Sequence, residues 1–424
     1  MIRKKLVTAA ALTAVTALLL AGCGRTDEGA AEPDSTGLTD GPATGTVTIW
    51  AQGTEGEALQ EFVKPFEEAN PDVTVEVTAI PWGDALNKYQ TAVAGGTTPD
   101  IGMLGSDWMA NFDGALQPVP AGLDTSGIFP AALANAEIDG DLAGVPWYVD
   151  TRVIFYRTDL LEQTGIDEFP TTWDGLYDLA KAYQTDAGAT WGMSILPSGF
   201  NVFLNLLPFL WSNGGELITD DNTQWTIDSP DNAEALAFIN SLFQDGIADK
   251  DLQDGMSDAL FVDGTTPMVI GGPWNIAVFN EAGGAGMDDK FALAPFPSGP
   301  NGESTSFIGG SNLSVFKDAK NSDAAWKLIQ WLSDPETQVA WFDAVSALPS
   351  QQAAWEAPSL ANDEKVSVFG AQLSSAKAAP TVSTWSQVSA AGDTAIEQMI
   401  RAGKSPEDTA KDIQSQADAL GVGN

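Results

Sequence analysis

TVTIWAQGTEGEALQEFVKPFEEANPDVTVEVTAIPWGDALNKYQTAVAGGTTPDIGML, residues 46–104, is the stretch whose reading decides the fold. Thr46-Val47-Thr48-Ile49-Trp50 is a short run of β-branched and aromatic residues and reads as a strand. A glycine-containing turn (Gln52-Gly53-Thr54-Glu55-Gly56) leads into a helical pattern from Glu57 to about Glu68, with Leu59, Phe62, Val63 and Phe66 on one face. Asn70-Pro71 stops that helix. Val73-Thr74-Val75-Glu76-Val77 then alternates as a second strand, Asp84–Ala94 reads as a second helix closed by Gly95-Gly96, and Pro99–Leu104 supplies a third strand. A β-α-β-α-β rhythm of this kind implies an α/β fold with a parallel, doubly wound sheet.

Towards the C-terminus the pattern continues. Leu142–Asp150 leads into Arg152–Arg157, apolar enough for a buried strand, and further apolar strands are expected at Thr266–Ile270 and Asn312–Phe316. Helical stretches are expected at Trp173–Tyr183, Phe200–Asn213, Asn232–Asp245, Ser322–Leu332, Pro335–Ser346 and Ala390–Ala402. A last helix starts near Ser405-Pro406-Glu407, with Ser as N-cap and Pro at the first helical position. The 424 residues suffice for two ordinary domains.

Towards the N-terminus, Arg3, Lys4 and Lys5 precede an apolar run from Leu6 to Leu20, which ends in Leu20-Ala21-Gly22-Cys23. This is the order of a secretory signal, too short in its apolar part for a comfortable membrane span. It resembles the bacterial lipobox, which implies a signal peptide over 1–22 and a lipid on Cys23. A single acyl chain holds a protein only marginally, so stable attachment implies more than one. Residues 23–45, rich in Gly, Ala, Thr, Asp, Glu and Pro, read as a flexible tether.

Composition narrows the function classes. The formal charge is −39, which repels nucleic acid and anionic lipid. The chain contains no histidine, so imidazole metal sites and His-based triads are excluded. Cys23 is the only cysteine, which excludes an intrachain disulfide. No metal or cofactor is expected. Fourteen tryptophans stand out; most of them should fill core, while the flat face of an indole also suits the apolar face of a sugar ring.

Several local patterns, taken in order, resemble the extracellular solute-binding proteins of ABC importers, in the sugar-binding group that includes maltose-binding protein. They are Val47–Trp50 with its turn, Ala94-Gly95-Gly96-Thr97-Thr98-Pro99-Asp100, and Gly144-Val145-Pro146-Trp147-Tyr148 leading to Phe155-Tyr156-Arg157. Gly271-Gly272-Pro273-Trp274-Asn275, Ile308-Gly309-Gly310-Ser311-Asn312, and Ala324–Lys327 before Ser333-Asp334-Pro335-Glu336 complete the set. The resemblance covers about Thr46 to Leu420. It implies a periplasmic-binding-protein-like fold of two α/β lobes around a ligand cleft with three inter-lobe crossings. The N-terminal lobe would be 46–150 plus 310–348 and the C-terminal lobe 151–309 plus 349–424. The crossings would lie near Val149–Thr151, Ser306–Gly309 and Ala347–Pro349.

The same resemblance places Thr54 and Glu55, in the turn after the first strand, against sugar hydroxyls. It places Asp107, after the third strand, as a grip on two hydroxyls. Beside it stands Trp108, where maltose-binding protein has a basic residue; this favours stacking over an ionic contact. Asp150 is expected in the cleft beside the hinge, with Arg152 either on the ligand or paired to Asp150, and with Trp147 and Tyr148 flanking the same place, one of them facing the cleft. Trp274 in Gly-Pro-Trp-Asn is expected to project its ring from a tight strand-to-helix turn into the cleft, next to Asn275. Gly310, Ser311 and Asn312 would offer backbone N–H groups and an amide opposite, and Trp385 would fold back towards the cleft. The implied partners are a neutral di- or oligosaccharide and the permease subunits of the importer, with the receptor acting as a monomer, not an enzyme. The alternatives are a polyamine, a glycerol-phosphate-type solute or a ferric chelate in the same fold, and a lipid-anchored glycoside hydrolase. No Gly-x-Ser-x-Gly, metal-ligand cluster or phosphate-binding loop supports an enzyme.

Overall fold

Strands β1 (Gly45–Gln52), β2 (Val73–Ile80) and β3 (Ile101–Gly105) pair in parallel in the order β2-β1-β3. Alternation in β1 sends Val47, Ile49 and Ala51 into the core, as period-two patterning requires. The computed structural model describes residues 38–138 and 140–423. The signal segment, Cys23 and the first part of the tether lie outside the described residues. The end of the stretch read as tether behaves differently from a flexible linker. Ala43 is buried with its N–H bonded to Asn70, Thr39 bonds Asp323, and Leu38 packs on the core, so the packed body begins before Thr46.

The sheet continues through β4 (Val145–Thr151), β8 (Phe307–Val315) and the two-residue β9 (Leu348–Pro349), in the order β9-β4-β8-β3-β1-β2, with a seventh, two-residue strand (Lys377–Ala378) parallel to the start of β8. β8 runs antiparallel to both β3 and β4. The sheet is therefore mixed, not wholly parallel, because β8 returns to it from a second sheet instead of from a crossover helix. That second sheet consists of β5 (Val153–Arg157) between β6 (Met268–Gly271) and β7 (Phe291–Ala294), all antiparallel. Only Arg152 separates β4 from β5, so one residue carries the chain from sheet to sheet.

At this crossing β4 and β8 lie side by side, Gly309 opposite Asp150 and Gly310 opposite Val149. Gly310 has φ +123°, and a Cβ there would lie 2.2 Å from the Tyr148 carbonyl oxygen. A Cβ on Gly309 would lie 2.4 Å from the Asp150 carboxylate. Both glycines are dictated by close approach.

Helices pack around the sheets, several with a hydroxyl or carboxylate N-cap followed by proline: Ser229-Pro230, Asp334-Pro335 and Ser405-Pro406. One apolar core runs continuously from the first sheet (Val47, Ile101, Val149) through Val153 and Phe155 into the second (Phe279, Phe291), sealed by Val366 and Phe369. Two further cores remain separate. One holds Tyr89, Leu104, Trp108, Phe112 and Phe316; the other holds Phe203, Leu207, Trp385, Val388 and Ile396. Polar groups gather between these two, and Asn111 bridges them by donating to the Ser383 carbonyl (2.9 Å) and accepting from the Ser386 hydroxyl (2.8 Å). Among the described residues, no helix is long and apolar enough to cross a membrane.

Candidate ligand-binding cleft

The carboxyl ends of the three parallel strands converge on one cavity of about 440 Å³, which is where ligands collect in open α/β sheets. β1 runs into helix α1 (Gly53–Phe62), which brings Thr54 and Glu55 to the wall. β2 runs through Pro81 into α2 (Trp82–Gly95), whose first residue, Trp82, covers Gly53. β3 leads to Ser106, Asp107 and Trp108. The crossing strands add Tyr148, Asp150, Phe307 and Gly310, and Arg152 stands between the sheets.

The opposite wall comes from the second sheet and its helices. Trp274 opens α4 (Trp274–Gly283) directly after β6. Phe200, Asn201, Leu204 and Asn205 stand at the start of α3 (Val202–Ser212). Phe200 is 47% exposed, one of three large apolar side chains left open among the described residues. Its neighbours Gly199 and Asn201 have φ +120° and +60°, a conformation that side chains resist. Asp393, on α5 (Trp385–Ala402), holds this corner by accepting from the Asn201 and Phe203 N–H groups (3.1 and 2.7 Å). Burial raises the Asp393 carboxyl to about 6.

Four carboxylates, Glu55, Asp107, Asp150 and Asp254, and one cation, Arg152, line the cavity. Burial raises Asp107 to about 6, and the nearby Asp150 charge adds to the effect. Burial also raises Glu55, again with Asp150 contributing. The Tyr148 phenol is pushed well above its ordinary value by burial and by the charges of Glu55 and Asp150. Arg152 is held on four sides. Its Nη1 donates to Asp150 (3.0 Å), its Nε donates to Asn205 (3.1 Å), and its guanidinium lies between the rings of Trp274 (4.6 Å) and Phe307 (4.7 Å). Buried carboxylates with spare lone pairs want hydrogen-bond donors, and the aromatic faces want flat apolar surface. A polyol ring presents both.

The model of the family described as bacterial extracellular solute-binding protein matches residues 50–339. The chain belongs to that family. This solute-binding protein is 23% identical to the galactooligosaccharide-binding protein of Bacillus subtilis, over 95% of this chain and 93% of the relative. Among solved structures it is similar to the GacH receptor of Streptomyces glaucescens, described unliganded and with acarbose: 27% identity, TM-score 0.83, covering 89% of this chain and 98% of that one. It is also similar to the sugar-binding protein MalE of Xanthomonas citri, at 32% identity and TM-score 0.77, covering 89% and 97%. The fold is the periplasmic-binding-protein-like one, two α/β lobes around a cleft.

Within this solute-binding protein, nine of the residues expected at the ligand line the cavity: Thr54, Glu55, Asp107, Trp108, Tyr148, Asp150, Arg152, Trp274 and Gly310. Of the two roles open to Arg152, the ion pair with Asp150 forms. Five residues lie elsewhere. Trp147 is 1% exposed and stacks on Trp341 at 4.8 Å, because it points to the face of β4 opposite Tyr148. Ser311 is buried and donates to the Tyr148 hydroxyl (3.2 Å), fixing that ring behind the wall. Asn312 is buried facing the Asn135 carbonyl. Asn275 folds back to accept from the Gly272 N–H (2.9 Å). Trp385 is fully buried beside Phe203 and Trp225, its N–H unpartnered and aimed at the Asp107 carboxyl.

Trp82, Phe200, Asn205, Asp254 and Phe307 are lining residues that the sequence reading missed. Trp82 carried a usable signal: Ile80-Pro81-Trp82-Gly83 places Pro-Trp at a strand end, as Gly272-Pro273-Trp274 does. Among the described residues, no group of three or more His, Cys, Asp or Glu is arranged to hold a metal ion.

Proposed function

We propose that this solute-binding protein is the lipid-anchored substrate-binding component of an ABC importer, capturing a neutral di- or oligosaccharide between its lobes and delivering it to the permease. The lobes are taken as 46–150 plus 310–348 and 151–309 plus 349–424. The observation that carries the reading is the pairing of partly exposed rings on both walls (Trp82 against Trp274 and Phe200) with Glu55, Asp107 and Asp150 between them. The rings would stack on sugar faces, and each carboxylate would accept hydroxyl donors in bonds worth roughly 1.5–3 kcal/mol. A micromolar dissociation constant needs only about 8 kcal/mol net. The role is capture and release, not turnover.

The similar proteins named for galactooligosaccharide, acarbose and sugar support a carbohydrate over a polyamine or a glycerol-phosphate-type solute. The cleft chemistry argues against the phosphate, since its one cation, Arg152, is already committed to Asp150 and Asn205 and leaves little to grip it. The Leu20-Ala21-Gly22-Cys23 sequence supports lipidation at Cys23. Thermal-shift screening against neutral di- and oligosaccharides, spermidine and glycerol phosphate tests the reading, because a ligand that binds only the native state raises the melting temperature by mass action. A shift with at least one neutral sugar is expected; shifts confined to charged solutes would contradict it. Cys23→Ala should move the protein from the membrane fraction to the soluble one.

A further inference from the structure

Phe200, Asn201, Leu204 and Asn205, around the start of α3, line one wall of the cleft. Nothing in the local sequence secures that turn. Asn201 stands at the N-cap with φ +60°, and its side chain caps no N–H group, so the first-turn donors lack the neighbouring acceptor that a helix start calls for. Other helices supply the acceptor themselves, through Ser229, Asp334 and Ser405.

For α3 the acceptor comes from α5. Asp393 Oδ1 accepts from the Phe203 N–H (2.7 Å), and its Oδ2 accepts from the Asn201 N–H (3.1 Å). The residue before it is Gly392, where a Cβ would lie 2.4 Å from the Phe203 ring. Gly392-Asp393 thus joins the close approach of two helices to a cap that one lends the other. From the capped turn a chain of bonds runs into the cleft. Asn205 Nδ2 donates to the Asn201 carbonyl (2.9 Å), and Asn205 Oδ1 accepts from Arg152 Nε (3.1 Å). Arg152 in turn lies between the rings of Trp274 and Phe307. Asp393 itself is not part of the cavity lining.

The carboxylate is costly where it stands. Burial raises it to about 6, and no cation among the described residues offsets the shift. Its contribution to stability is therefore fully present below about pH 4 and lost as pH rises through 6. A carboxylate that weakens the fold at neutral pH while organising a binding wall fits a trade of stability for function.

We propose that Asp393 is a positioning residue for ligand binding: by capping α3 from α5 it sets Asn205, and through Asn205 it holds Arg152 against Trp274 in the arrangement that the ligand meets. This role rests on the carbohydrate reading above and places one determinant of affinity outside the cleft.

Calorimetric titration with maltotriose, cellotriose and a galactooligosaccharide tests the role in wild type, Asp393→Asn, Asn205→Ala and the double variant, at neutral pH and well below each melting temperature. Asp393→Asn is nearly isosteric and keeps an acceptor for Phe203, but its amide nitrogen cannot accept from Asn201. It should fold and melt close to wild type, because the buried charge is gone. For a sugar that binds the wild type, each single variant should weaken affinity about five- to tenfold. The double variant should bind within about twofold of the weaker single variant. Amide hydrogen exchange over residues 201–205 of the unliganded protein should be about tenfold faster in Asp393→Asn. A cap with a purely structural role would leave the affinity of the folded variant at the wild-type value. That result, or single effects that multiply in the double variant, would overturn the role. Silence from all these sugars with wild type would instead sink the carbohydrate reading, and unchanged exchange would overturn the positioning by Asp393 even then.

Discussion

Replacing Trp274 by Ala removes a ring from the cleft wall and one side of the Arg152 sandwich. The loss can be worked from the geometry. One indole face is taken by the guanidinium at 4.6 Å, so a sugar has the other face and the edge. A ring lying there covers roughly 100 Å², about half of what an aromatic side chain buries in a core. At ~25 cal/mol per Å² this is about 2.5 kcal/mol. Loss of the stacking partner also frees Arg152 on one side, costing roughly 0.5–1 kcal/mol more. The sum of about 3 kcal/mol corresponds to an affinity loss of about two orders of magnitude. The fold should survive, because Trp274 is only half-buried and heads its helix, while Asn275 keeps its bond to Gly272. Isothermal titration with the best neutral oligosaccharide is the assay, with the melting temperature of unliganded protein as control and Trp274→Phe expected to recover about half of the loss. A dissociation constant within threefold of wild type, in a variant that melts normally, would refute the placement of this ring on the ligand.

Other consequences concern acidity, backbone and the bridge between lobes. Asp107 is raised to about 6 in the unliganded fold, above its ordinary value near 3.9. Its contribution to stability is therefore fully present below pH 4 and is lost as pH rises through 6. Urea unfolding of wild type and Asp107→Asn across pH 4–7 should show that trend in the wild type relative to the variant. Since hydroxyl binding uses the ionised form, sugar affinity should rise from pH 5 to 7 in wild type and flatten in Asp107→Asn. Gly310→Ala should cost at least about 1–3 kcal/mol from strained backbone alone, because φ is +123° and the Tyr148 carbonyl lies 2.2 Å from the added methyl; chemical denaturation measures it. Asn111→Ala removes the bonds to Ser383 and Ser386, worth about 1–3 kcal/mol together. If those bonds favour the ligand-holding arrangement, stopped-flow measurements should show sugar leaving faster from the variant.

The strands and helices of the first sheet were legible because their signals are local. The β-branched runs, Asn70-Pro71 and Gly95-Gly96 mark boundaries that β1, β2 and α2 respect. The direction of β8 was not legible, since nothing within Phe307–Val315 says which strand it will meet. Glu55, Asp107 and Asp150 were legible through the resemblance, and each sits just beyond a strand or at the crossing, as does Trp274, where ligands collect in α/β sheets. Which of Trp147 and Tyr148 faces the cleft stayed open for a physical reason: all seven residues of β4 are buried, so alternation carries no polarity to tell cleft from core. Asn205 and Phe200 escaped because their place depends on Asp393, far along the chain, fixing the start of α3.

The claim on which everything else depends is that the cleft holds a neutral carbohydrate by stacking and hydroxyl bonding. Isothermal titration of the purified protein with maltotriose, cellotriose, a galactooligosaccharide and spermidine, each at low and high ionic strength, tests it most directly. The account predicts a neutral oligosaccharide bound at roughly micromolar strength or better, with affinity nearly unchanged by salt. Silence from every neutral sugar, together with spermidine binding that collapses as salt is added, would contradict it.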